Sequence, residues 1–386
     1  MVNKVKLRHL IAIALSVIIL SWAVFHESAV TPLDEGEGTT VAEAISGEEA
    51  GYQRAFEPYT FSFPQDHGAH PAFRTEWWYF TGNLMSEAQR RFGYQLTIFR
   101  IALAPEIAER ESAWASRNLY MGHLALSDVE NERFYRFERF SRDGLGLAGV
   151  EIEPFKLWLE DWQVLSTDQS FFPLNMRVGD GDISIELRLD ASKPMVIQGD
   201  RGLSQKSTMP GNASHYYSYT RLQSQGHIKL KNQTIPVNGQ SWLDREWSTS
   251  PLGEDQRGWD WFALQFEDGR ELMYYQLRRK NGEVDSFSSG VLVSINGEVE
   301  KITASQIELM VEEHWESAES GVRYPVRWRM RLPEHNLDLK IEAVMPNQEM
   351  NLSVRYWEGA VDIQSLGDSV RVRGRGYMEL AGYRLP

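Results

Sequence analysis

Carboxylates within runs of aromatic residues are the groups in this chain best placed to do chemistry. The stretch HPAFRTEWWYFTGNL at residues 70–84 places Glu76 directly before four aromatic residues, Trp77, Trp78, Tyr79 and Phe80. Because side chains alternate between the two faces of a strand, Glu76 shares a face with Trp78. The other face carries Trp77 and Tyr79, so both faces of the strand must be covered. The alternative is that Glu76 lies at the strand end, in water or paired with Arg74.

A second group of acids lies in the sequence WLDREW at residues 242–247. Strand alternation puts Asp244 and Glu246 on one face together with Trp242. Two carboxylates two residues apart beside an indole could form an acid–base pair, since their repulsion raises the pKa of one of them. Asp260, in the sequence GWDWFALQF, is again an acid on an apolar strand face.

These acids suggest a proton-donating function. A carboxyl group removed from water stays protonated and can donate its proton to a weak base such as an alkene. The sequence offers four candidate catalytic acids, Glu76, Asp244, Glu246 and Asp260. The candidate ligand-binding residues are their aromatic and histidine neighbours, His70, Trp77, Trp78, Tyr79, Trp242, Trp247, Trp259, Trp261 and Tyr275. The alternative for each acid is a structural ion pair with an arginine such as Arg245, Arg257 or Arg278.

Other chemistries have little support in the composition or the motifs. The chain has no cysteine, which excludes disulfides, thiol nucleophiles and thiolate metal sites. Its histidines show no metal-binding spacing and no Gly-x-Ser-x-Gly elbow is present, so we predict neither a metal site nor a cofactor. The GLGLAG stretch at residues 144–149 matches a dinucleotide fingerprint only in its letters, because a predicted strand follows it. The net charge of −14 argues against a nucleic acid as partner.

The elements that must position these residues are strands. Short runs of aromatic and β-branched residues recur roughly every dozen residues with Gly, Asp and Asn between them, which is typical of an all-β sandwich or barrel. Residues 77–84 align with 259–266 at an offset of 182, and residues 94–100 align with 272–278 at an offset of 178. Two similar aromatic hairpins predict two barrels of one type, with chance similarity as the alternative. The polar stretch 200–220 is interpreted as a long loop.

Residues 1–30 predict export. Lys4, Lys6 and Arg8 precede an apolar run at residues 10–25, which is either a signal peptide or an N-terminal membrane anchor helix. The positive charges stay in the cytoplasm, so we expect the remainder to be periplasmic, either soluble or anchored in the inner membrane. Residues 31–57 are acidic and rich in small side chains, which indicates a flexible linker.

The longer motifs resemble those of the AttH-like and carotenoid 1,2-hydratase (CrtC)-like proteins. The resemblance rests on HPAFRTEWWYFTGNL, GQSWLDREWSTSPL, GWDWFALQFEDGRELMYYQLRR, YWEGAV and GRGYMELAGY, and runs from about Tyr59 to Tyr383. It implies two lipocalin-like (calycin) antiparallel β-barrels, at residues 58–237 and 238–386, with a hydrophobic ligand cavity within or between them. The hydratase branch, which includes hydroxyneurosporene synthase-like proteins, adds water to a terminal isoprenoid double bond without a cofactor. The AttH branch is typically exported and found near transporter-type export systems.

Three functions remain as hypotheses. The first is an exported protein that binds a hydrophobic lipid or isoprenoid and works with an envelope ABC-type transporter. The second is a cofactor-independent hydratase or isomerase of the carotenoid 1,2-hydratase type that uses one of the four candidate acids. Arg245 departs from the pattern of that branch, whose sequences tend to have a histidine after the aspartate. The third is a structural envelope protein whose aromatic residues only form its core.

Overall fold

Within the residues that the structure describes, the secondary structure is almost entirely antiparallel β-strand. The computed structural model describes residues 39–45, 49–105, 116–250, 252–366 and 371–385. The predicted export segment at residues 1–30 lies outside these ranges. Within them, no helix is long and apolar enough to cross a membrane. The helices of the described residues are one α-helical turn and short 3-10 turns: α1 Val41–Ala44, and Gln65–His67, Gly144–Gly146, Ala304–Gln306 and Pro333–His335.

The first sheet of the described chain holds thirteen strands. They are β1 Thr75–Ser86, β2 Arg91–Ala102, β3 Asn118–Asp128, β4 Arg133–Arg142, β5 Ala148–Ile152, β6 Phe155–Leu159, β7 Trp162–Ser166, β8 Leu174–Asp180, β9 Ile183–Ala191, β10 Val196–Ile197, β11 Leu203–Gln205, β12 Ala213–Leu230 and β13 Gln233–Ser248. Their order is β4-β3-β2-β1-β13-β12-β9-β8-β7-β6-β5, and β10 and β11 also pair with β12.

The second sheet holds ten strands within the same described ranges. They are β14 Gln256–Phe266, β15 Glu271–Arg279, β16 Ser289–Val293, β17 Val299–Thr303, β18 Glu308–Glu316, β19 Arg323–Leu332, β20 Leu337–Ala343, β21 Glu349–Asn351, β22 Arg355–Ser365 and β23 Arg373–Leu380. Their order is β17-β16-β15-β14-β23-β22-β20-β19-β18, and β21 also pairs with β22.

The two sheets repeat one topology. In each, a four-strand meander is joined through its first strand to the last strand of the sheet: β4-β3-β2-β1-β13 in the first and β17-β16-β15-β14-β23 in the second. The registers also correspond, because Tyr79 pairs with Thr97 and Trp261 pairs with Tyr275. These positions differ by the offsets of 182 and 178 read from the sequence, so the structure agrees with the predicted repeat.

Each sheet curls around its own apolar core, which makes it barrel-like. In the first sheet, Trp78 of β1 belongs to the same buried cluster as Phe155 of β6, although these strands lie far apart in the sheet order. The opposite face of β1 carries Tyr79, which packs against Trp261 of the second sheet with ring centroids 5.1 Å apart. Both faces of β1 are therefore covered, as the alternation of its aromatic residues requires.

Two sequence predictions need comment. The sequence predicts a loop at 200–220, but residues 203–205 form β11 and residues 213–220 form the first half of β12, so that prediction is wrong for those residues. The polar side chains in this half of β12 suggest a solvent-exposed loop, but they contact other protein groups. Ser218, for example, is fully buried. The predicted barrel boundary at residue 237 lies inside β13, and the chain passes between sheets after Ser248.

Part of the predicted linker packs on the folded chain. Thr40 and Glu43 form a capping box at the N-terminus of α1. Val41 and Ile45 are buried in an apolar cluster that also contains Tyr356 of β22. The few apolar residues of this acidic segment are therefore enough to hold residues 39–45 against the second sheet.

Candidate functional site

A cleft between the two sheets brings aromatic and ionisable side chains together. We call it the inter-sheet cleft; it is lined by Val41, Trp77, Tyr79, Thr97, Phe99, Lys206, Tyr216, Asp244, Glu246, Trp259, Trp261, Tyr275, Leu277 and Glu379. Its cavity volume is about 80 Å³, and the empty space is about 650 Å³ when the open mouth is included. The cleft is therefore narrow, with flat aromatic walls and a few polar groups, as is usual for small-molecule sites.

The cleft is built from equivalent positions of the repeat. Cross-strand register places Asp244 opposite Tyr79 in the first sheet and Glu379 opposite Trp261 in the second. Since Tyr79 and Trp261 are equivalent, Asp244 and Glu379 are equivalent as well. Ten lining residues form such pairs: Trp77 and Trp259, Tyr79 and Trp261, Thr97 and Tyr275, Phe99 and Leu277, Asp244 and Glu379.

Asp244 is a buried carboxyl group held by neutral donors. Its Oδ1 accepts hydrogen bonds from Ser218 Oγ at 2.5 Å and Trp242 Nε1 at 2.7 Å. Its Oδ2 accepts one from the Tyr216 hydroxyl at 2.7 Å. Burial raises the pKa of Asp244 to about 7, because the desolvation outweighs these hydrogen bonds and nearby Glu246 adds repulsion. Asp244 can therefore gain or lose a proton near neutral pH.

Glu379 provides a second such group across the cleft. Its Oε1 accepts a hydrogen bond of 3.0 Å from Trp259 Nε1. Burial raises the pKa of Glu379 to about 8; the hydrogen bond from Trp259 lowers this pKa in part, and the negative charges of Glu246 and Asp244 raise it. At neutral pH this carboxyl group is mostly protonated.

Lys206 and Glu246 place a buried ion pair at one side of the cleft. Lys206 Nζ lies 3.3 Å from Glu246 Oε1 and 4.1 Å from the centre of the Tyr275 ring. Ser214 Oγ also donates a hydrogen bond to Glu246. Burial lowers the pKa of Lys206, but Glu246 and Tyr275 raise it more, so the net change is upward and the amine stays charged. The pair therefore offers a cation and an anion beside the two titrating acids.

Glu76 lies outside the cleft, in a buried ionic cluster. Its carboxylate forms ion pairs with Arg100 and Arg245, and it accepts hydrogen bonds of 3.0 and 3.1 Å from the backbone N–H of His70. Burial raises the pKa of Glu76, but the two arginines and His70 lower it more, so it stays well below its usual value. Glu76 is thus a permanent anion and is paired, though not with Arg74. Its geometry favours a structural role.

Asp260 also lies outside the cleft, on the core side of the second sheet. Its Oδ1 is 3.1 Å from Arg278 Nε and accepts a hydrogen bond of 2.9 Å from the Tyr383 hydroxyl. Burial raises the pKa of Asp260 more than Arg278 and these hydrogen bonds lower it. The alternative that the sequence offered for Asp260, an ion pair with Arg278, is what the structure has. In the described ranges, no group of three or more histidine or acidic residues is placed to hold a metal ion.

The predicted ligand-binding residues divide between the cleft and its surroundings. The cleft itself is lined by five of them, Trp77, Tyr79, Trp259, Trp261 and Tyr275. Trp242 lies behind this wall, bonded to Asp244 and packed edge-on against Trp261 at 6.3 Å. The remaining three, His70, Trp78 and Trp247, surround the Glu76 cluster, where His70 stacks on Trp247 at 3.6 Å and Arg245 lies 3.9 Å from the Trp78 ring centre.

Sequence reasoning missed Lys206, Tyr216 and Glu379. Lys206 and Tyr216 fall in the stretch interpreted as a loop, and Lys206 reaches the cleft from just beyond β11, with no periodic pattern to indicate its direction. The repeat could have identified Glu379. Tyr79 pairs with Asp244 and Trp261 is equivalent to Tyr79, so the residue that pairs with Trp261 on the last strand is equivalent to Asp244.

Comparison with known proteins supports the fold. Residues 54–383 match the AttH-like family. The structure is similar to that of a Nitrosomonas europaea protein assigned as AttH, at 33% identity over 84% of this chain and 98% of that one, with a TM-score of 0.75. It also resembles kievitone hydratase from Nectria haematococca, at 13% identity over 86% of this chain and 98% of that one, with a TM-score of 0.62. A third similar structure is that of CghA with Sch210972, at 10% identity over 88% of this chain and 99% of that one, with a TM-score of 0.50.

These likenesses confirm the predicted all-β, lipocalin-like fold and the predicted resemblance, while the two more distant structures show the fold alone. No curated protein sequence matches the chain. The family match covers most of the chain, and the strand repeat, the paired barrel-like sheets and the cleft between them all lie inside the matched residues. The chain belongs to the AttH-like family.

Proposed function

We propose that the inter-sheet cleft binds an apolar, unsaturated small molecule such as an isoprenoid. The observation that carries this proposal is the aromatic wall on both sides of the cleft, formed by Trp77 and Tyr79 from one sheet and by Trp259 and Trp261 from the other. Flat aromatic faces give a large contact area at a low cost in conformational entropy. The narrow space between them suits a flat or extended ligand.

Binding is tested by titrating residues 39–386 with farnesol and with retinol while following tryptophan fluorescence. Saturable quenching is expected, and Trp259→Ala should weaken the affinity at least tenfold because it removes one wall. Trp158→Ala is the matched control, since Trp158 is also half-buried but lies on β6, outside the cleft. If neither probe nor a hydrophobic dye binds saturably, the proposal is wrong and the structural hypothesis is favoured.

A second candidate function is proton transfer to a carbon–carbon double bond, as in a cofactor-independent hydratase or isomerase. It is favoured by the protonation of Asp244 and Glu379 close to neutral pH inside an apolar cleft. A protonated carboxyl group would add its proton to one alkene carbon, and water would attack the resulting cation at the other carbon. A second carboxylate would take the proton that the water releases, so that alkene and water give an alcohol.

This second function is tested by incubating the chain with geraniol or squalene in ¹⁸O-labelled water and analysing the products by mass spectrometry. Hydration would add labelled oxygen, and Asp244→Asn and Glu379→Gln should each lower the rate by roughly 10²–10⁴-fold, the usual contribution of a general acid or base. Absence of any labelled or isomerised product from the wild-type chain would remove this function and leave ligand binding standing.

We also propose that the chain works outside the cytoplasm, with an envelope ABC-type transporter. The support is in the sequence: three cations before the apolar run 10–25, followed by an acidic segment. Expression of the full chain with fractionation should place it in the periplasm or at the inner membrane. Crosslinking in that membrane should capture a transporter subunit. A cytoplasmic full chain would overturn both parts.

A further inference from the structure

A line of buried titratable groups runs from the inter-sheet cleft to the surface of the first sheet. From the cleft outwards it contains Glu379, Glu358, Tyr356, His123 and Glu138. Glu379 lines the cleft, whereas Glu358, Tyr356 and His123 are at most 2% exposed. The line passes from the second sheet to the first, because β22 and β23 carry its inner members and β3 and β4 its outer ones.

The inner end joins the cleft to a fully buried acid. Glu358 lies directly opposite Glu379 in the antiparallel pair of β22 and β23, which places the two side chains on the same face. The Tyr79 hydroxyl, from the first sheet, donates a hydrogen bond to Oε1 of Glu358. Tyr79 therefore fixes one oxygen of Glu358 and leaves the other to interact elsewhere.

That other oxygen is available to a mobile proton. Oε2 of Glu358 is buried and makes no hydrogen bond within the described chain. Burial and the neighbouring Glu379 raise the pKa of Glu358 well above its usual value. Tyr356 lies two residues away on the same face of β22, so Glu358 has Glu379 across the strand pair and Tyr356 along its own strand. Glu358 therefore has a proton-carrying group on either side.

The outer end reaches solvent through a histidine. The Tyr356 hydroxyl lies 2.8 Å from His123 Nδ1, and the two rings stack with centroids 5.6 Å apart. His123 Nε2 lies 3.3 Å from Glu138 Oε1. The side chain of Glu138 is 17% exposed, whereas that of His123 has no exposure. Glu138 thus connects the buried imidazole to water.

Every member of this line can both give and accept a proton. A purely structural contact between the sheets would not need a buried carboxyl group with an unpartnered oxygen, since such a group is unfavourable in a core. Elsewhere the sheets are joined by neutral groups, as where Asn83 donates to the Gly376 carbonyl at 3.0 Å, or by paired ions, as where Arg91 lies 2.7 Å from Asp362. A purely structural role therefore does not explain this line of titratable groups.

We propose that Glu138, His123, Tyr356 and Glu358 form a proton relay that restores the proton of Glu379 from solvent. Glu138 passes a proton to His123 Nε2, His123 releases its Nδ1 proton to the Tyr356 oxygen, and Tyr356 passes its own hydroxyl proton to Glu358. Glu358 gives its proton to Glu379, so one proton enters from water and one reaches the cleft. The relay serves the proposed proton-transfer function and rests on it, because a cleft closed by an apolar ligand has no water to reprotonate its acid.

The relay is tested without any substrate, by the rate at which the proton of Glu358 exchanges for deuterium. Rapid mixing of the chain into D₂O shifts the infrared carbonyl band of a protonated carboxyl group, and the loss of that band in Glu358→Gln assigns it. Glu379→Gln together with Tyr79→Phe closes the entry from the cleft, because Tyr79 also lines the cleft and contacts Glu358, and exchange should remain fast because the outer route is intact. Adding Tyr356→Phe should then slow the exchange at least tenfold.

Tyr324→Phe, combined with Glu379→Gln and Tyr79→Phe, is the matched control. Tyr324 is equally buried on the same sheet and donates to a carboxylate, Glu349, at 2.9 Å, but it lies outside the relay. Its removal should leave the exchange of Glu358 fast. Equal exchange rates in the Glu379→Gln, Tyr79→Phe chain with and without Tyr356→Phe would overturn the relay, and so would slow exchange in the Glu379→Gln, Tyr79→Phe chain itself. Neither result depends on whether the chain turns over an alkene, so the proposed function is judged separately.

Discussion

Asp244 and Glu379 occupy equivalent positions in the two halves of the chain, yet they receive different numbers of hydrogen bonds. Asp244 accepts three, whereas Glu379 accepts one from Trp259. Burial raises the pKa of both acids, Asp244 to about 7 and Glu379 to about 8, and the hydrogen bonds that each accepts lower its pKa in part. The repeat thus supplies two acids that can exchange a proton near neutral pH but have different hydrogen-bond partners.

The first prediction concerns the pH dependence of stability. An aspartate loses its proton near pH 4 in the unfolded chain, whereas Asp244 loses it near pH 7 in the folded chain. Between these values the folded chain binds more protons, so its stability falls as the pH rises, by up to about 1.4 kcal/mol per pH unit for this group. Asp244→Asn should reduce that slope. Urea unfolding from pH 4 to 7 measures it, and an unchanged slope would contradict the assignment.

The second prediction concerns Glu76. Replacement of Glu76 by Gln leaves the buried Arg100 and Arg245 without their anion, so we expect a loss of about 3–5 kcal/mol in the free energy of unfolding. Glu87→Gln is the control, since Glu87 is exposed at the turn after β1 and its change should cost less than about 0.5 kcal/mol. Farnesol affinity of the folded Glu76→Gln chain should match the wild type, because Glu76 lies outside the cleft; a tenfold loss would place it in the ligand site.

The third prediction separates the two halves of the Lys206–Glu246 pair. Lys206→Met leaves the carboxylate of Glu246 buried without its cation, which should cost about 3–5 kcal/mol of stability. Adding Glu246→Gln removes the uncompensated charge, so the double variant should recover at least half of that loss. Chemical denaturation of the four chains gives the coupling energy. If the double variant loses the sum of both single losses, the pair does not interact.

The fourth prediction distinguishes Asp260 from the acids of the cleft. Asp260→Asn keeps the size of the side chain but weakens the contact with Arg278, so stability should fall by about 1–3 kcal/mol. Product formation in labelled water, if the wild type shows any, should stay within a factor of two of wild type. A hundredfold loss of rate in a folded Asp260→Asn chain would show that the acid acts on the substrate after all.

Strand alternation predicted the faces of the site well, because it is a local rule. It placed Asp244, Glu246 and Trp242 on one face, where the structure has them, and it required a cover over the outer face of β1. Strand alternation could not predict the partners of Glu76. Arg100 and Arg245 belong to the two strands that flank β1, and their positions beside Glu76 depend on how those strands are registered against β1. Lys206 could not be predicted for a different reason. It follows a strand of only three residues, which is too short to show the alternation that would indicate where its side chain points.

The contact between Tyr79 and Trp261 has a consequence for how the protein can diverge. At the two-fold axis of a homodimer, residues at the same position of the two copies touch each other, and the contact of Tyr79 with Trp261 is of that kind. In a homodimer every substitution appears twice in the shared cleft. Here it appears once: the first half has Glu246 opposite Trp77, where the second half has Ala381 beside Trp259. Each half can therefore change at this cleft without the other.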